Sequence, residues 1–212
     1  MSKLKIVNLG LPKSGTTTLY RALLEAGVFA ADHRVRREHT PKRKVRGSFV
    51  GMQVYHGYYD NGDPLSRLDF YEALTEINAL REQISLWPQC DYPLVKAMRD
   101  HNPQVKFVVT WRPAEAICDS MERWGQLGKI RLPRATVPGL PHGFGAEFDQ
   151  RIRWIEDNHA MLRDIFAGRD NFLELDMAAP DARDRLAGFL EMDLPWWGRA
   201  NVNTQSPSQK AS

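Results

Sequence analysis

Apolar and polar residues follow two different periodicities near the start of the chain, and the change between them predicts the first elements. Residues 6–9 form a short apolar run that is typical of a buried strand. A polar loop covers residues 10–17, and a helix is expected to follow, ending at Gly27. Its apolar face is marked by leucines at helical spacing: Leu19, Leu23 and Leu24.

The same reasoning predicts further regular elements in the second half of the chain. Residues 105–109 are rich in β-branched and aromatic side chains and indicate a buried parallel strand, and Pro113 suits the first turn of a helix after it. Residues 147–167 show the spacing of an amphipathic helix. A last core strand is predicted over 171–176, and a helix over 180–191.

The intervening segments are less regular. Residues 47–52 suggest a short strand, and residues 53–64 suggest a loop with three tyrosines beside an active site. Residues 65–84 carry apolar side chains near helical spacing and predict a helix. Residues 126–145 are rich in glycine and proline and predict a long irregular loop, which is typical of a lid or a disordered segment.

Composition favours one globular domain. The chain has 212 residues, of which 42% are hydrophobic and 26% charged, enough for a single sizeable core. No apolar run is long enough to predict a membrane span. The chain enters a strand without a signal-peptide pattern, so a cytoplasmic location is expected, and Cys90 and Cys118 are interpreted as reduced thiols.

The net charge of +3 is small, but residues 33–46 concentrate lysine and arginine. Such a run is often only a solvated surface. A nucleic-acid contact is a second interpretation, which the lack of interleaved aromatic residues makes less favourable. The preferred interpretation is a partly mobile loop that borders the active site and attracts an anionic cofactor or an acidic acceptor.

The loop after the first strand has the chemistry of an anion site. Gly10 and Gly15 bracket four residues just before a helix, where unpaired backbone amides and the helix dipole favour negative charge. The loop of nucleoside triphosphatases places lysine directly after the second glycine. Here Thr16 stands at that position and Lys13 lies inside the loop, so we expect a phosphate site with no obvious seat for a metal.

Two motifs resemble those of sulfotransferases that use 3′-phosphoadenosine 5′-phosphosulfate (PAPS). The sequence PKSGTTT, residues 12–18, is similar to the family's 5′-phosphosulfate loop. Arg112 at the end of a predicted strand and Ser120 eight residues later resemble its 3′-phosphate motif. A guanidinium group can hold two phosphate oxygens and a hydroxyl can donate one more hydrogen bond.

The resemblance implies a role for each matching residue. Lys13 should bridge the 5′-phosphate and the transferring sulfuryl group, and Arg112 and Ser120 should hold the 3′-phosphate. The 5′-phosphate should be held by the loop amides, including that of Gly15, together with Ser14, Thr16, Thr17 and Thr18. Because Thr18 replaces a tryptophan found in many members, the adenine contacts do not carry over. Trp124, Trp196 and Trp197 are candidates for them.

The general base is the least determined part of the site. Asp91, in the segment Asp91-Tyr92-Pro93-Leu94, stands where many cytosolic members have a histidine base, and its Asp-x-Pro form resembles a small branch of unassigned substrate. The same aspartate could instead be only a helix N-cap. His56 and His33 are the next candidates, whereas His159 favours packing or capping.

Together these observations predict an α/β fold with one three-layer α/β/α domain over residues 1–203, a central parallel sheet and a disordered tail over 204–212. The expected reaction is sulfuryl transfer from PAPS to a hydroxyl or amine of a small-molecule or carbohydrate acceptor, without a metal, leaving adenosine 3′,5′-bisphosphate. The sequence identifies neither the acceptor nor the oligomeric state.

Two other classes stay open. A P-loop nucleotide kinase or nucleoside triphosphatase needs magnesium and usually an aspartate at a strand end, where this chain has Arg112. A non-enzymatic module that binds nucleotides or nucleic acid is the other alternative.

Overall fold

The computed structural model describes residues 2–198 and residue 200, and within them an α/β fold. The strands are β1 (Ile6–Asn8), β2 (Ala30–Ala31), β3 (Ala73–Leu74), β4 (Ala79–Arg81), β5 (Ile84–Leu86), β6 (Lys106–Trp111) and β7 (Phe172–Asp176). The helices are α1 (Thr16–Glu25), α2 (Val50–Asn61), α3 (Tyr92–His101), α4 (Ala114–Arg123), α5 (Phe148–Ile165) and α6 (Ala182–Leu190). The predicted tail over 204–212 and the predicted domain boundary at residue 203 lie outside the described residues.

The central sheet has five strands in the order β2-β3-β1-β6-β7, and every neighbouring pair is parallel. The chain leaves β1 toward β2 and β3 on one side, and leaves β6 toward β7 on the other. In open α/β sheets a ligand crevice forms where adjacent strands send the chain in opposite directions. The ends of β1 and β6 therefore mark the expected position of a site.

Helices cover both faces of this sheet, which confirms the predicted architecture. Alternate side chains of β1 and β6 point to opposite faces, as the two-residue period of a strand requires. Val7 and Phe107 pack in one core with side chains of α2, α3 and α5. Ile6 and Val108 pack in the other core with side chains of α1 and α6.

The prediction for residues 47–84 is wrong in its secondary structure. The predicted strand and tyrosine loop form α2, which ends at Gly62 in a left-handed conformation. Gly51, inside the predicted strand, lets α2 approach the segment after β3 closely: a Cβ atom there would lie 2.3 Å from the carbonyl oxygen of Ile77.

The predicted helix over 65–84 contains turns, β3 and the start of a separate antiparallel hairpin formed by β4 and β5. Its apolar residues are buried, but they reach the core from an irregular extended segment: Leu68, Tyr71, Leu74, Ile77 and Leu80. Spacings of three residues can place side chains inward in such a segment as well as in a helix. Periodicity alone does not separate the two over this length.

The elements predicted in the second half of the chain agree with the structure to within a few residues. The segment predicted as a long loop also contains one turn of π-helix, Leu127–Arg131. None of the helices in the described part of the chain has the length and apolar character needed to cross a membrane. Cys90 and Cys118 are both buried and free.

His159 of α5 is a packing residue. It is buried, and its Nε2 atom has no hydrogen-bond partner among the residues that the structure describes. Burial lowers the pKa of the imidazole to about 4. A histidine whose charged form is disfavoured in the folded state makes stability depend on pH, because the unfolded chain binds the proton more readily.

We expect the His159→Gln variant to lose less stability on acidification than the wild type. In the wild type, stability attributable to His159 is lost as pH falls from about 6.5 toward 4, by up to about 3 kcal/mol. Urea unfolding at neutral pH and near pH 4 measures this difference. His56→Gln is the matched control, since His56 is exposed, and an equal acid response in all three proteins would contradict the prediction.

Candidate active site

The loop between β1 and α1 presents unpaired backbone donors at a helix N-terminus. Gly15 is the N-cap of α1, with φ 117° and without a side-chain cap, and Lys13 is also left-handed, with φ 74°. No hydrogen bond among the described residues uses the backbone amides of Gly15 and Thr16. These amides and the positive end of the helix dipole form a seat for a phosphate or sulfate group.

A buried amide side chain holds this loop in place. Asn8, at the end of β1, accepts hydrogen bonds from the backbone amides of Gly10 at 3.1 Å and Thr110 at 3.0 Å. Its Nδ2 group donates to the carbonyl oxygen of Thr75 at 2.9 Å and to the Thr110 hydroxyl at 3.2 Å. All four hydrogen-bonding positions of the Asn8 amide are therefore used, joining the loop to β6 and to the end of β3.

Ser14 supports the loop from inside. Its side chain is buried, and its hydroxyl donates to the carbonyl oxygen of Leu11 at 2.7 Å and lies 2.7 Å from the Thr110 hydroxyl. The backbone amide of Ser14 also bonds to Leu11. The structure thus gives Ser14 a supporting role at the phosphate loop, whereas the hydroxyl-bearing Thr17 and Thr18 are exposed and half-buried.

Lys13 lies at the centre of a group of charged side chains. Burial lowers the pKa of its ammonium group, Glu76 opposes that change, and Arg112 and Arg123 lower the pKa further. The ammonium nitrogen lies 4.8 Å from the centroid of the Trp124 ring. Lys13 is thus a partly desolvated cation, whose interaction with negative charge is stronger than in water.

Glu76 is the carboxylate of this group. It follows β3, and its Oε2 accepts a hydrogen bond from the Thr16 hydroxyl at 3.3 Å. Burial raises its pKa above the ordinary range for glutamate, although Thr16, Asn78 and Lys13 act in the opposite direction. A carboxylate with a raised pKa that is close to a cation is suited to accepting a proton at neutral pH.

Arg112 meets the loop from β6. Its Nη1 atom lies 3.5 Å from the carbonyl oxygen of Lys13, so the structure brings the two sequence motifs together. Ser120 is buried on α4, and its hydroxyl has no hydrogen bond to any residue in the described part of the chain. Both side chains therefore keep donors available for a phosphate.

A cavity of about 340 Å³ opens beside the loop. Its floor includes Thr16 and Glu76, and its aromatic walls include Trp87 and Trp124. Its far side is formed by Ala79, Leu80 and Arg81 of β4 and by Leu127 and Arg131 of the π-helical turn. The volume is at the lower end of the range for sites of small organic molecules.

Of the three candidates for the general base that the sequence suggested, His33 lines the cavity and Asp91 and His56 do not. Asp91 is the N-cap of α3, and it is half-buried near Tyr55. Burial raises its pKa, but it does not line the cavity. His56 is exposed on α2 and does not line it either, while His33 does. Burial lowers the pKa of His33.

Sequence reasoning missed Glu76 and Asn8. A signal for Asn8 was available, because a polar residue in a strand that is buried on both faces must find buried partners. Glu76 carried no such signal: it belongs to no motif, and the surrounding segment was interpreted as a helix. Only the pairing of β3 with β1 brings it beside the loop.

A parallel sheet with a glycine-bounded anion loop at its switch point defines a phosphate-binding α/β domain. The family model of the sulfotransferase domain matches residues 5–138, more than half of the chain, and the chain therefore belongs to this family. The comparison with curated proteins gives no match. No group of three or more His, Cys, Asp or Glu side chains that could hold a metal ion occurs in the described ranges.

We expect Gly15→Ala to weaken binding of adenosine 3′,5′-bisphosphate by at least tenfold, measured by calorimetry. An alanine at this left-handed position is strained, and its Cβ atom would lie 2.7 Å from Cγ of Met177, so the loop or the Met177 side chain must shift. Gly27→Ala is the matched control, because Gly27 is also left-handed but a Cβ there meets nothing within 4 Å. Both variants should lose some stability, and equal affinity in the two would show that the loop does not hold the ligand.

Proposed function

We propose that the protein is a PAPS-dependent sulfotransferase that acts on a hydroxyl or amine of a small acceptor. The observation that carries this proposal is the approach of Arg112 to the Lys13 carbonyl, because it joins two separate phosphate-binding motifs in one site. Open amides at the N-terminus of α1 fit a 5′-phosphosulfate. The remaining guanidinium donors of Arg112 and the Ser120 hydroxyl fit a second phosphate on the same nucleotide.

Lys13 is proposed to stabilise the charge that develops during transfer. PAPS supplies an activated sulfuryl group whose departure leaves negative charge on a phosphate oxygen. The Lys13 ammonium is partly desolvated, and its loop is fixed by the Asn8 network, so it requires little reorganisation. A preorganised cation of this kind is among the strongest contributions that a protein makes to such reactions.

Glu76 is proposed as the general base. It lines the cavity, lies close to Lys13, and has a raised pKa. The acceptor hydroxyl or amine would give its proton to this carboxylate as it attacks. Asp91 is the second candidate, because burial also raises its pKa, but it lies at the N-terminus of α3 and does not line the cavity.

The donor specificity can be tested by ligand binding alone. Adenosine 3′,5′-bisphosphate should stabilise the protein without magnesium, and more than AMP does.

Arg112→Ala should weaken bisphosphate binding by roughly ten- to a hundredfold, because a charged hydrogen bond is lost, and AMP binding should change less. Arg43→Ala, in the exposed basic run, is the control. Thermal shift and calorimetry measure these effects.

Equal stabilisation by AMP and the bisphosphate would mean that the 3′-phosphate is not recognised, and the assignment of Arg112 and Ser120 would fail. Stabilisation by ATP only with magnesium would favour a nucleotide kinase or nucleoside triphosphatase instead. Binding of an oligonucleotide without either nucleotide would favour a nucleic-acid-binding module.

The roles of Lys13 and Glu76 can be separated with labelled PAPS and a pool of acceptors. Lys13→Ala should lower turnover by about 10²–10³, as loss of one oxyanion donor does. Glu76→Gln should lower it by about 10²–10⁴, with nearly normal bisphosphate affinity. Wild-type activity should fall as acidic pH protonates Glu76, and Glu76→Gln should lose this dependence.

Asp91→Asn is the matched control for this experiment, since it keeps the shape of a helix cap and removes only the ability to take a proton. It should retain most of the turnover. The opposite result would contradict the assignment of Glu76. If Glu76→Gln stays active and a folded Asp91→Asn protein loses turnover by about 10²–10⁴, Asp91 is the base.

A further inference from the structure

Two arginines line the far side of the cavity without an acidic partner. Arg81 ends β4, and Arg131 ends the π-helical turn. Neither forms an ion pair with any residue in the described ranges, and the two guanidinium groups lie close enough to share one carbonyl oxygen. Cations placed together without a counterion are a common feature of anion-binding sites.

The acidic residues of the cavity do not neutralise these arginines. Asp32 is paired with Arg36 at 2.5 Å and also accepts the backbone amide of Arg34 at 2.9 Å. Glu76 is bound by the Thr16 hydroxyl and lies near Lys13. The positive charge at the far side of the cavity is therefore available to a ligand.

The two guanidinium groups donate hydrogen bonds to the same carbonyl oxygen. Arg131 donates from Nη2 to the carbonyl oxygen of Leu80 at 2.6 Å, and Arg81 donates from Nη1 to the same oxygen at 3.3 Å. Each keeps further N–H donors. Burial lowers the pKa of Arg131, and the nearby Arg81 lowers it further, as expected for adjacent cations that lack an anion.

The distance from this pair to the reacting centre limits the size of the ligand. The Arg131 guanidinium carbon lies 5.4 Å, and the Lys13 ammonium nitrogen 4.8 Å, from the centroid of the Trp124 ring. These two cations are consequently within about 10 Å of each other. Trp124 is 43% exposed and can present its ring to a planar molecule between them.

The arginine pair is distinct from the proposed donor site. Arg112 and Ser120, which are assigned to the 3′-phosphate, do not line the cavity. The loop amides are assigned to the 5′-phosphosulfate. An anion at Arg81 and Arg131 would therefore belong to the acceptor.

We infer that the acceptor is a small hydroxylated ring compound that carries a carboxylate, with the carboxylate bound by Arg81 and Arg131 and the hydroxyl directed toward Glu76 and Lys13. This inference rests on the proposed function. In the reaction the acceptor oxygen forms a bond to sulfur as the bond from sulfur to the donor's phosphate oxygen breaks. The electron pair of that bond stays on the phosphate, and the hydroxyl proton passes to Glu76.

The test compares para-hydroxybenzoate with its neutral counterpart para-hydroxybenzamide, and para-hydroxyphenylacetate with its amide. Binding to the full chain saturated with adenosine 3′,5′-bisphosphate is followed by ligand-observed NMR titration. In at least one pair the acid should bind at least tenfold more tightly than the amide. Arg81→Gln should remove about tenfold or more of the acid's affinity and leave the amide unchanged.

Arg81 is the safer residue to replace, because it is exposed and its only hydrogen bond among the described residues is to the neighbouring Leu80 carbonyl. Arg131→Lys is the second variant: it keeps the charge but loses the two-pronged geometry, so it should reduce the preference for the acid partly. Arg134→Gln is the matched control, since Arg134 is exposed on the same loop but does not line the cavity.

Equal affinities for acid and amide in both pairs, no binding of either acid, or a preference that survives Arg81→Gln would overturn the inference while leaving the proposed function intact. Loss of the preference in Arg134→Gln would also overturn it, because a general surface charge would then be responsible. Failure of the bisphosphate itself to bind would instead reject the proposed function, and this inference with it.

Discussion

The buried amide of Asn8 is the constraint on which the site depends. A polar side chain inside a strand that is covered on both faces is costly unless all its hydrogen bonds are made. Asn8 makes all four, to the phosphate loop, to Thr110 of β6 and to the carbonyl of Thr75 after β3. The loop, the strand that leads to Arg112 and the segment that leads to Glu76 are therefore fixed relative to one another by a single side chain.

The same arrangement places a partly buried cation and a largely buried carboxylate close together beside the loop. Burial disfavours the charged forms of both Lys13 and Glu76, and each partly restores the charge of the other. Because Lys13 is partly desolvated, it stabilises nearby negative charge more strongly than it would in water. Because the pKa of Glu76 is raised, its carboxylate binds a proton more readily than an exposed glutamate does. Lys13 and Glu76 are close because both follow strands at the same edge of the sheet.

The parts of the fold that the sequence predicted well are those in which local pattern and long-range packing agree. The loop from Gly10 to Thr17 combines a strand, glycines and a helix start in one continuous segment, so its structure was predictable. Arg112 and Ser120 lie on a strand and the helix that follows it, for the same reason.

The segment from 47 to 86 was not predictable in this way, because its backbone is set by distant partners. The two-residue strand β3 exists through its pairing with β1 and β2, and the helix α2 depends on close contact with the Ile77 carbonyl. Glu76 lies in this segment, so its role could not be predicted before the pairing was known. Arg81 lies in the same segment, so its place in the cavity lining could not be predicted from the sequence either.

Under the proposed function, residues at the sheet edge carry out the chemistry, and residues on the hairpin and the π-helical turn select the acceptor. Lys13, Glu76 and Arg112 follow strands that are locked by the Asn8 network or by parallel pairing. Arg81 and Arg131 lie on the hairpin and the π-helical turn, which meet at the Leu80 carbonyl. The turn is also held to α4 by an ion pair of 2.9 Å between Lys129 and Glu122. Leu80 and Leu127 pack in one apolar cluster with Leu11 of the phosphate loop, whereas the Arg81 side chain is exposed. Under the proposed function, a change of charge at Arg81 can therefore alter which acceptor is selected while the packing that supports the loop is kept.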